Sequence, residues 1–253
     1  MTKIDIITQV AKVVSPVFLV GGAVRDSLLS VKPKDFDFTT PLTPDEVEAR
    51  VRAAGRRPYL VGKRFGTIGF KVEIDGVFEM VEVTTFRIDG PGRKPSVVFE
   101  GVSLEEDLAR RDLTIGAMAI DEAGVLHDPF DGKGDIEAGV IRAVGNAGQR
   151  LREDPLRILR VGRFASQLGF SIEKDTEKAA RKVASRLMTI SRERVRDELD
   201  KLLVGADPRA GLEFLARTGA MAFTLPEVAA LIDFDQRSRY HDFDAFEHTV
   251  RVV

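Results

Sequence analysis

Asp35-Phe36-Asp37 sets two carboxylates two residues apart. In an extended segment side chains alternate, so Asp35 and Asp37 share one face while Phe36 and Phe38 turn the other way, toward a core. Anions held that close repel unless a cation lies between them. A hard divalent ion with oxygen ligands, such as Mg²⁺, meets that need. Such ions hold triphosphates and activate attacking hydroxyls. A third carboxylate, Glu82, lies in Glu79-Met80-Val81-Glu82-Val83-Thr84-Thr85, where alternation turns it away from Val81 and Val83. If that strand runs beside the aspartate strand, Asp35, Asp37 and Glu82 gather as ligands for two metal ions. Taken alone, Asp-x-Asp also describes a solvated, charged strand edge.

The elements around these residues can be read from pattern. Pro16 to Val20 is a short apolar run, as in a buried strand; Gly21-Gly22 breaks it, and Ala23 to Leu29 opens a helix. A strand–Gly-Gly–helix corner leaves backbone N–H groups at the positive end of the helix dipole, where a phosphate is favoured. Arg25, one turn in, could add a fork of donors. The same Gly-Gly pair also serves as a plain turn. Ile4, Ile7, Val10, Val13 and Val14 have helical spacing, and Phe36 to Thr40 reads as a strand. Thr43 with Glu46 forms a capping box. Gly66 to Val72 and Val77 to Thr85 are β-rich runs joined through Asp75-Gly76, a hairpin signal. The first 90 residues or so therefore give a small mixed sheet flanked by helices. Pro91 to Ser96 reads as a loop, Leu104 to Met118 as a helix, and Gly124 to Gly134 as turns. Within those turns Asp128 to Gly132 carries no assigned chemistry. From Asp154 the chain becomes helical, with Pro155 suited to a helix start and Gly169 to its end. A boundary near Gly145-Asn146-Ala147-Gly148 follows from that change.

Composition narrows the class. The sequence has no cysteine, which excludes disulfides and thiolate metal sites and fits a reducing cytoplasm. No apolar run approaches the roughly 20 residues needed to cross a membrane, and the N-terminus lacks a cleavage-site pattern. A net charge of −2 argues against a uniformly basic nucleic-acid binder, but between Arg142 and Arg163 six arginines face only Glu153 and Asp154. That segment suits phosphates, or forms a solvated helix face.

Several stretches now form an ordered set: Leu19 to Asp26 with Asp35-Phe36-Asp37, Glu82 to Arg87, Leu108 to Thr114 with its Arg110-Arg111-Asp112, Glu153 to Phe164, and Ile190 to Val195 followed by Glu198-Leu199. Together they resemble the class II tRNA nucleotidyltransferases (CCA-adding enzymes) and bacterial poly(A) polymerases, in order from about Phe18 onward. The resemblance implies an α+β nucleotidyltransferase head of the polymerase-beta type on a short mixed sheet, over residues 1–145. An all-helical neck would follow over 146–205, and the start of a helical body over 206–253. It implies that Gly21, Gly22 and Arg25 bind the triphosphate, and that Asp35 and Asp37 carry two Mg²⁺ ions with help from Glu82. Arg111 and Asp112 would contact the nucleotide and its ribose. Asp154 and Arg157 would hydrogen-bond the base edge, and Arg160 and Arg163 would reach the nucleotide. A carboxylate accepts from an exocyclic amine and a guanidinium donates to a ring nitrogen or carbonyl, so the Asp154–Arg157 pair suits C and A.

The implied function is addition of CCA to the 3′ end of tRNA from CTP and ATP. Poly(A) synthesis, or addition of only CC or only A, shares every motif, with the choice residing in the loop around residues 86–100. A non-catalytic RNA-binding descendant would be expected to lose a metal carboxylate, and Asp35, Asp37 and Glu82 are all present. Without the resemblance, Arg110, Arg111 and Asp112 read as surface ion pairs, and Ser191 to Leu202 as a capped helix whose role stays structural. Gly116 departs from the family, which usually has Asn there. His241-Asp242-Phe243-Asp244 and His248-Thr249 resemble the opening of a histidine–aspartate (HD) type domain, and the sequence reaches Val253 before such a domain is complete. Either the chain is truncated or a fragment, or its tail has another role, and His241 and His248 lack the further ligands a complete metal site needs.

Overall fold

The alternation of residues 36–40 and 77–85 becomes the centre of a sheet. The computed structural model describes residues 3–74, 76–89, 97–234 and 244–253. The chain divides into two compact units, Met1–Ile136 and Glu137–Val253.

The first unit runs α1 (Lys3–Ala11), β1 (Phe18–Val20), α2 (Gly22–Leu28), β2 (Phe36–Thr40), α3 (Pro44–Ala53), β3 (Thr67–Ile74), β4 (Val77–Thr85), β5 (Ile88–Asp89), β6 (Val97–Val98), α4 (Leu104–Ala109), β7 (Ala119–Ile120) and β8 (Leu126–His127). Six strands form one mixed sheet in the order β3-β4-β2-β1-β7-β8, with β2 and β4 parallel. Phe36 and Phe38 stand in register with Val81 and Val83, and all four are buried. Ile68, Phe70 and Val72 continue that apolar face on β3, and Ile6, Val10, Val47 and Val51 of α1 and α3 are buried as well. Each such side chain contributes about 1.5–3 kcal/mol by leaving water, so this face anchors the register of β2 against β4. The Thr43–Glu46 capping box forms as expected, with Thr43 N–H donating to Glu46 Oε2 at 2.8 Å. β3 and β4 pair antiparallel with Ile74 opposite Val77, the geometry of a tight hairpin. Gly76 there has φ +79°, while Asp75 lies outside the described residues, as does the Pro91–Ser96 loop.

The helix read over Leu104 to Met118 is shorter in the structure. α4 ends at Ala109, Leu113 is extended (φ −124°, ψ 145°), and Thr114–Gly116 makes one 3₁₀ turn. The chain must turn back here so that Ala119 and Ile120 can pair with Val20 and Leu19. Two β-branched residues and a glycine in succession offer weak resistance to that turn.

The second unit begins within α5 (Gly132–Ala138) and continues β9 (Val140–Ile141), α6 (Ala147–Glu153), α7 (Arg157–Leu168), β10 (Ser171–Ile172), α8 (Lys174–Val183), α9 (Arg192–Leu203), α10 (Pro208–Arg217), α11 (Met221–Thr224), α12 (Pro226–Ala229) and α13 (Ala245–Val252). Gly169, at φ +66°, ends α7. α7 crosses α10 closely: a Cβ at Gly211 would lie 2.8 Å from Gly162 O. On α7, Ser166 Oγ donates to Leu202 O at 2.6 Å, tying it to α9. Among the described residues no helix is long and apolar enough to cross a membrane.

Candidate active site

Gly21 follows β1 with φ 70° and ψ −131°, a conformation closed to residues with a Cβ. Its N–H donates to Met118 O at 3.4 Å, and α2 begins at the next residue. A Cβ on Gly21 would stand 2.8 Å from Arg111 Nη1, so the guanidinium lies directly against the corner. A Cβ on Gly22 would meet only Arg25 Nη2, at 3.7 Å. The glycine at 21 is demanded by backbone and neighbour; the one at 22 is not.

On β2, Asp37 is paired with Val20 on one side and Glu82 on the other. The aspartate strand thus runs between the strand that enters the glycine corner and the strand that carries the third carboxylate. Asp37 and Glu82 share the sheet face opposite Phe38 and Val83, and both are open to solvent. Crowding around Asp37 pushes its pKa up, Arg111 opposes that rise, and the like charge of Asp35 adds to it. The side chains of Asp35, Asp37 and Glu82 make no hydrogen bond or ion pair with any described residue, so their oxygens remain available as ligands. No three such side chains among the described residues are gathered closely enough to hold a metal ion by themselves. Mg²⁺ is commonly held by one or two carboxylates with substrate phosphates completing its octahedron, and this donor set of hard oxygens fits that mode.

Around the corner, Arg25 closes its fork on its neighbour, with Nε and Nη2 donating to Asp26 Oδ1 at 2.9 and 2.6 Å. Arg111 donates from Nη1 to Gly116 O at 3.4 Å. Burial pushes the Arg111 pKa down, while Asp107, Asp37 and Asp112 pull it up; it stays a cation at neutral pH. Asp107, which the sequence reading passed over, is a fully buried carboxylate. Its spacing of three and four residues from Arg110 and Arg111 on a helix was the available signal.

In the second unit the polar residues of 153–163 are already engaged. Asp154 uses Oδ1 to accept from Leu156 N–H at 3.1 Å and Oδ2 to pair with Arg194 at 2.8 Å. Arg157 Nη1 donates to Arg150 O at 2.8 Å and Glu153 Oε2 at 2.7 Å. Arg163 is buried, 3.0 Å from Glu198 Oε2 and stacked 4.3 Å over Phe164, while Arg160 lies 4.0 Å from Glu198 Oε1. The 190–199 stretch therefore supports the 153–163 stretch through Arg194 and Glu198. His248 lies exposed on α13, and His241 is outside the described residues.

Known proteins align with this arrangement. Residues 17–142 match the poly A polymerase head domain, and residues 169–232 match the probable RNA- and SrmB-binding site of polymerase A. The CCA-adding enzyme of Geobacillus thermodenitrificans is 46% identical over 215 residues, 84% of this chain and 51% of that protein. The structure of the Bacillus stearothermophilus CCA-adding enzyme in complex with CTP superposes with a TM-score of 0.79 at 40% identity, covering 92% of this chain and 57% of that one. A complex of a CCA-adding enzyme with ATP gives a TM-score of 0.67 at 30% identity, over 84% of this chain and 49% of that one. The chain spans about half the length of the curated relatives it matches.

Proposed function

Because the chain belongs to the poly(A) polymerase head family, where its matched relatives are CCA-adding enzymes, we propose that it adds C and A to the 3′ end of tRNA from CTP and ATP. Pyrophosphate is released, and a cytoplasmic setting accords with the cysteine-free sequence. The observation that carries this reading is the register that sets Asp37 between Val20, at the glycine corner, and Glu82.

Gly21 and Gly22 let the triphosphate approach the backbone, and Arg25 and Arg111 meet its negative charge. To reach it, Arg25 shares or exchanges its bonds to Asp26. Asp112 faces the ribose. Asp35 and Asp37, helped by Glu82, would hold Mg²⁺, which when bound would supply charge neutralisation at the reacting oxygens. The primer 3′-hydroxyl oxygen bonds to the α-phosphorus, the bond from that phosphorus to pyrophosphate breaks, and the hydroxyl proton is given up to solvent.

Asp154 and Arg157 read the base. Asp154 accepts from the exocyclic amine of C or A, and Arg157 donates to a ring nitrogen or carbonyl. G or U leaves a donor or acceptor unmatched at about 1–3 kcal/mol per group. Arg160 and Arg163 serve the same nucleotide, with Arg163 doing so through its hold on Phe164 and Glu198. Support for a protein template comes from the bonds that fix Asp154 and Arg157 in advance.

Extension of radiolabelled tRNA lacking its 3′ end, with CTP and ATP offered singly and together, tests this. The expected result is CC with CTP alone and CCA with both. A long ladder with ATP alone identifies a poly(A) polymerase, and addition of only C or only A identifies a split enzyme. No extension under any condition contradicts the proposal.

A further inference from the structure

Asp107 sits on α4 with its side chain at 0% exposure. An ionised carboxylate so placed is tolerated only when donors surround it. Three do, Arg110 Nε at 3.0 Å, the Arg87 backbone N–H at 3.2 Å and Thr39 Oγ1 at 3.3 Å, and Arg111 Nη2 stands 3.8 Å away as an ion-pair partner. It therefore joins α4 to the end of β2 and to the residue that leaves β4.

Of these partners, Arg111 is held most loosely. Its Nη2 is beyond hydrogen-bond distance of Asp107, its Nε is buried with no hydrogen bond among the described residues, and its Nη1 stands against Gly21. Arg110, the preceding residue, repels it. Asp107 thus balances two adjacent guanidiniums while leaving one with donor capacity at the corner. Loss of its charge would leave two guanidiniums side by side with only Asp37 and Asp112 to offset Arg111, and the more weakly held would move.

We propose that Asp107 is a positioning residue that presents the Arg111 guanidinium at the glycine corner to the triphosphate of the incoming nucleotide. The inference rests on the reading of Arg111 as a nucleotide contact. It differs from a purely structural role because it acts through one named side chain.

A double-mutant cycle separates the two. Equilibrium CTP affinity, the KM and kcat for CTP in tRNA extension, and Tm are measured for the protein, Asp107→Asn, Arg111→Ala and the double variant. Asp107→Asn is expected to weaken CTP binding about tenfold with kcat changed less than about twofold, and to add less than about twofold in the Arg111→Ala background. Should Asp107→Asn not fold, Asp107→Ser, which also removes the charge while keeping a small polar side chain, is read in the same cycle with the same expectation. Equal losses in both backgrounds, or a lowered Tm with intact CTP affinity, overturn the proposal. If Arg111→Ala itself binds CTP as the unaltered protein does, the reading of Arg111 fails and this inference with it. Failure of Asp107 alone is distinct: its losses multiply on an already weakened Arg111→Ala protein.

Discussion

The two polar regions of this molecule are finished to different degrees. In the first unit, Asp37 and Glu82 stand open on one sheet face, Asp35 lies exposed just before β2, and none of the three makes a hydrogen bond or ion pair with described residues; the field around Asp37 disfavours its ionised form. In the second, Asp154, Arg157 and Arg163 each already have a partner within 3.1 Å. A metal and triphosphate site leaves its ligands unsatisfied, because the charge that completes it arrives with the substrate. A surface that selects a base gains from the opposite arrangement, since side chains fixed beforehand cannot adapt to the wrong partner. The contrast accords with the proposed roles, in which the open carboxylates await a cation brought with the nucleotide and the engaged Asp154 and Arg157 would act as a fixed template.

The largest effect should come from Asp37. Asp37→Asn is expected to lower extension by about a thousandfold or more, several kcal/mol at roughly 1.36 kcal/mol per tenfold. It should also raise the Tm of the metal-free protein at neutral pH. In the fold the Asp37 carboxyl has a pKa above its ordinary value. As pH rises through that window the unfolded chain has already lost the proton that the fold retains, so stability falls. Removing the charge restores it. Thermal melts without divalent ions check this, and a lowered Tm would break the contrast.

Next comes Gly21→Ala, which is expected to cost roughly 1–3 kcal/mol in urea unfolding because its φ of 70° is strained for alanine. It also drives a Cβ to 2.8 Å from Arg111 Nη1. Gly22→Ala should keep the stability and weaken only CTP binding. Arg157→Ala should leave addition of the correct base within about tenfold while raising misincorporation of G and U, consistent with about 1–3 kcal/mol of discrimination per matched group. Competition assays with mixed nucleotides read it. The smallest effect is Gly116→Asn, the residue usual in the family. A Cβ there meets nothing within 4 Å and Arg111 bonds only the backbone carbonyl, so the change in stability should stay within about 0.5 kcal/mol.

Much of this was legible in the sequence wherever period and punctuation agree. The strand–Gly-Gly–helix corner, the Thr43–Glu46 box and the Gly169 stop all follow local rules, whereas β2 begins only at Phe36 and leaves Asp35 outside the strand. Parallel pairing of β2 with β4 joins residues 45 apart, so alternation could state it only as a condition; the buried Phe36, Phe38, Val81 and Val83 decide it. The overlong helix at 104–118 failed because pairing of Ala119 and Ile120 with β1 overrides helical propensity. Burial of Arg163 against Glu198 and Phe164 depends on how α9 packs on α7, which no spacing within 153–163 encodes. For Asp107 the spacing to Arg110 and Arg111 was the local signal, but its full burial depends on Thr39 of β2 and on Arg87 beyond β4, which that spacing does not encode.

Direct titration of Mn²⁺ in the presence of an unreactive CTP analogue, followed by electron paramagnetic resonance of the free ion, bears most closely on the carboxylate face. The account predicts nucleotide-dependent binding in the unaltered protein and a loss of at least about tenfold in Asp35→Asn and Asp37→Asn. Undiminished Mn²⁺ affinity in both variants would contradict it.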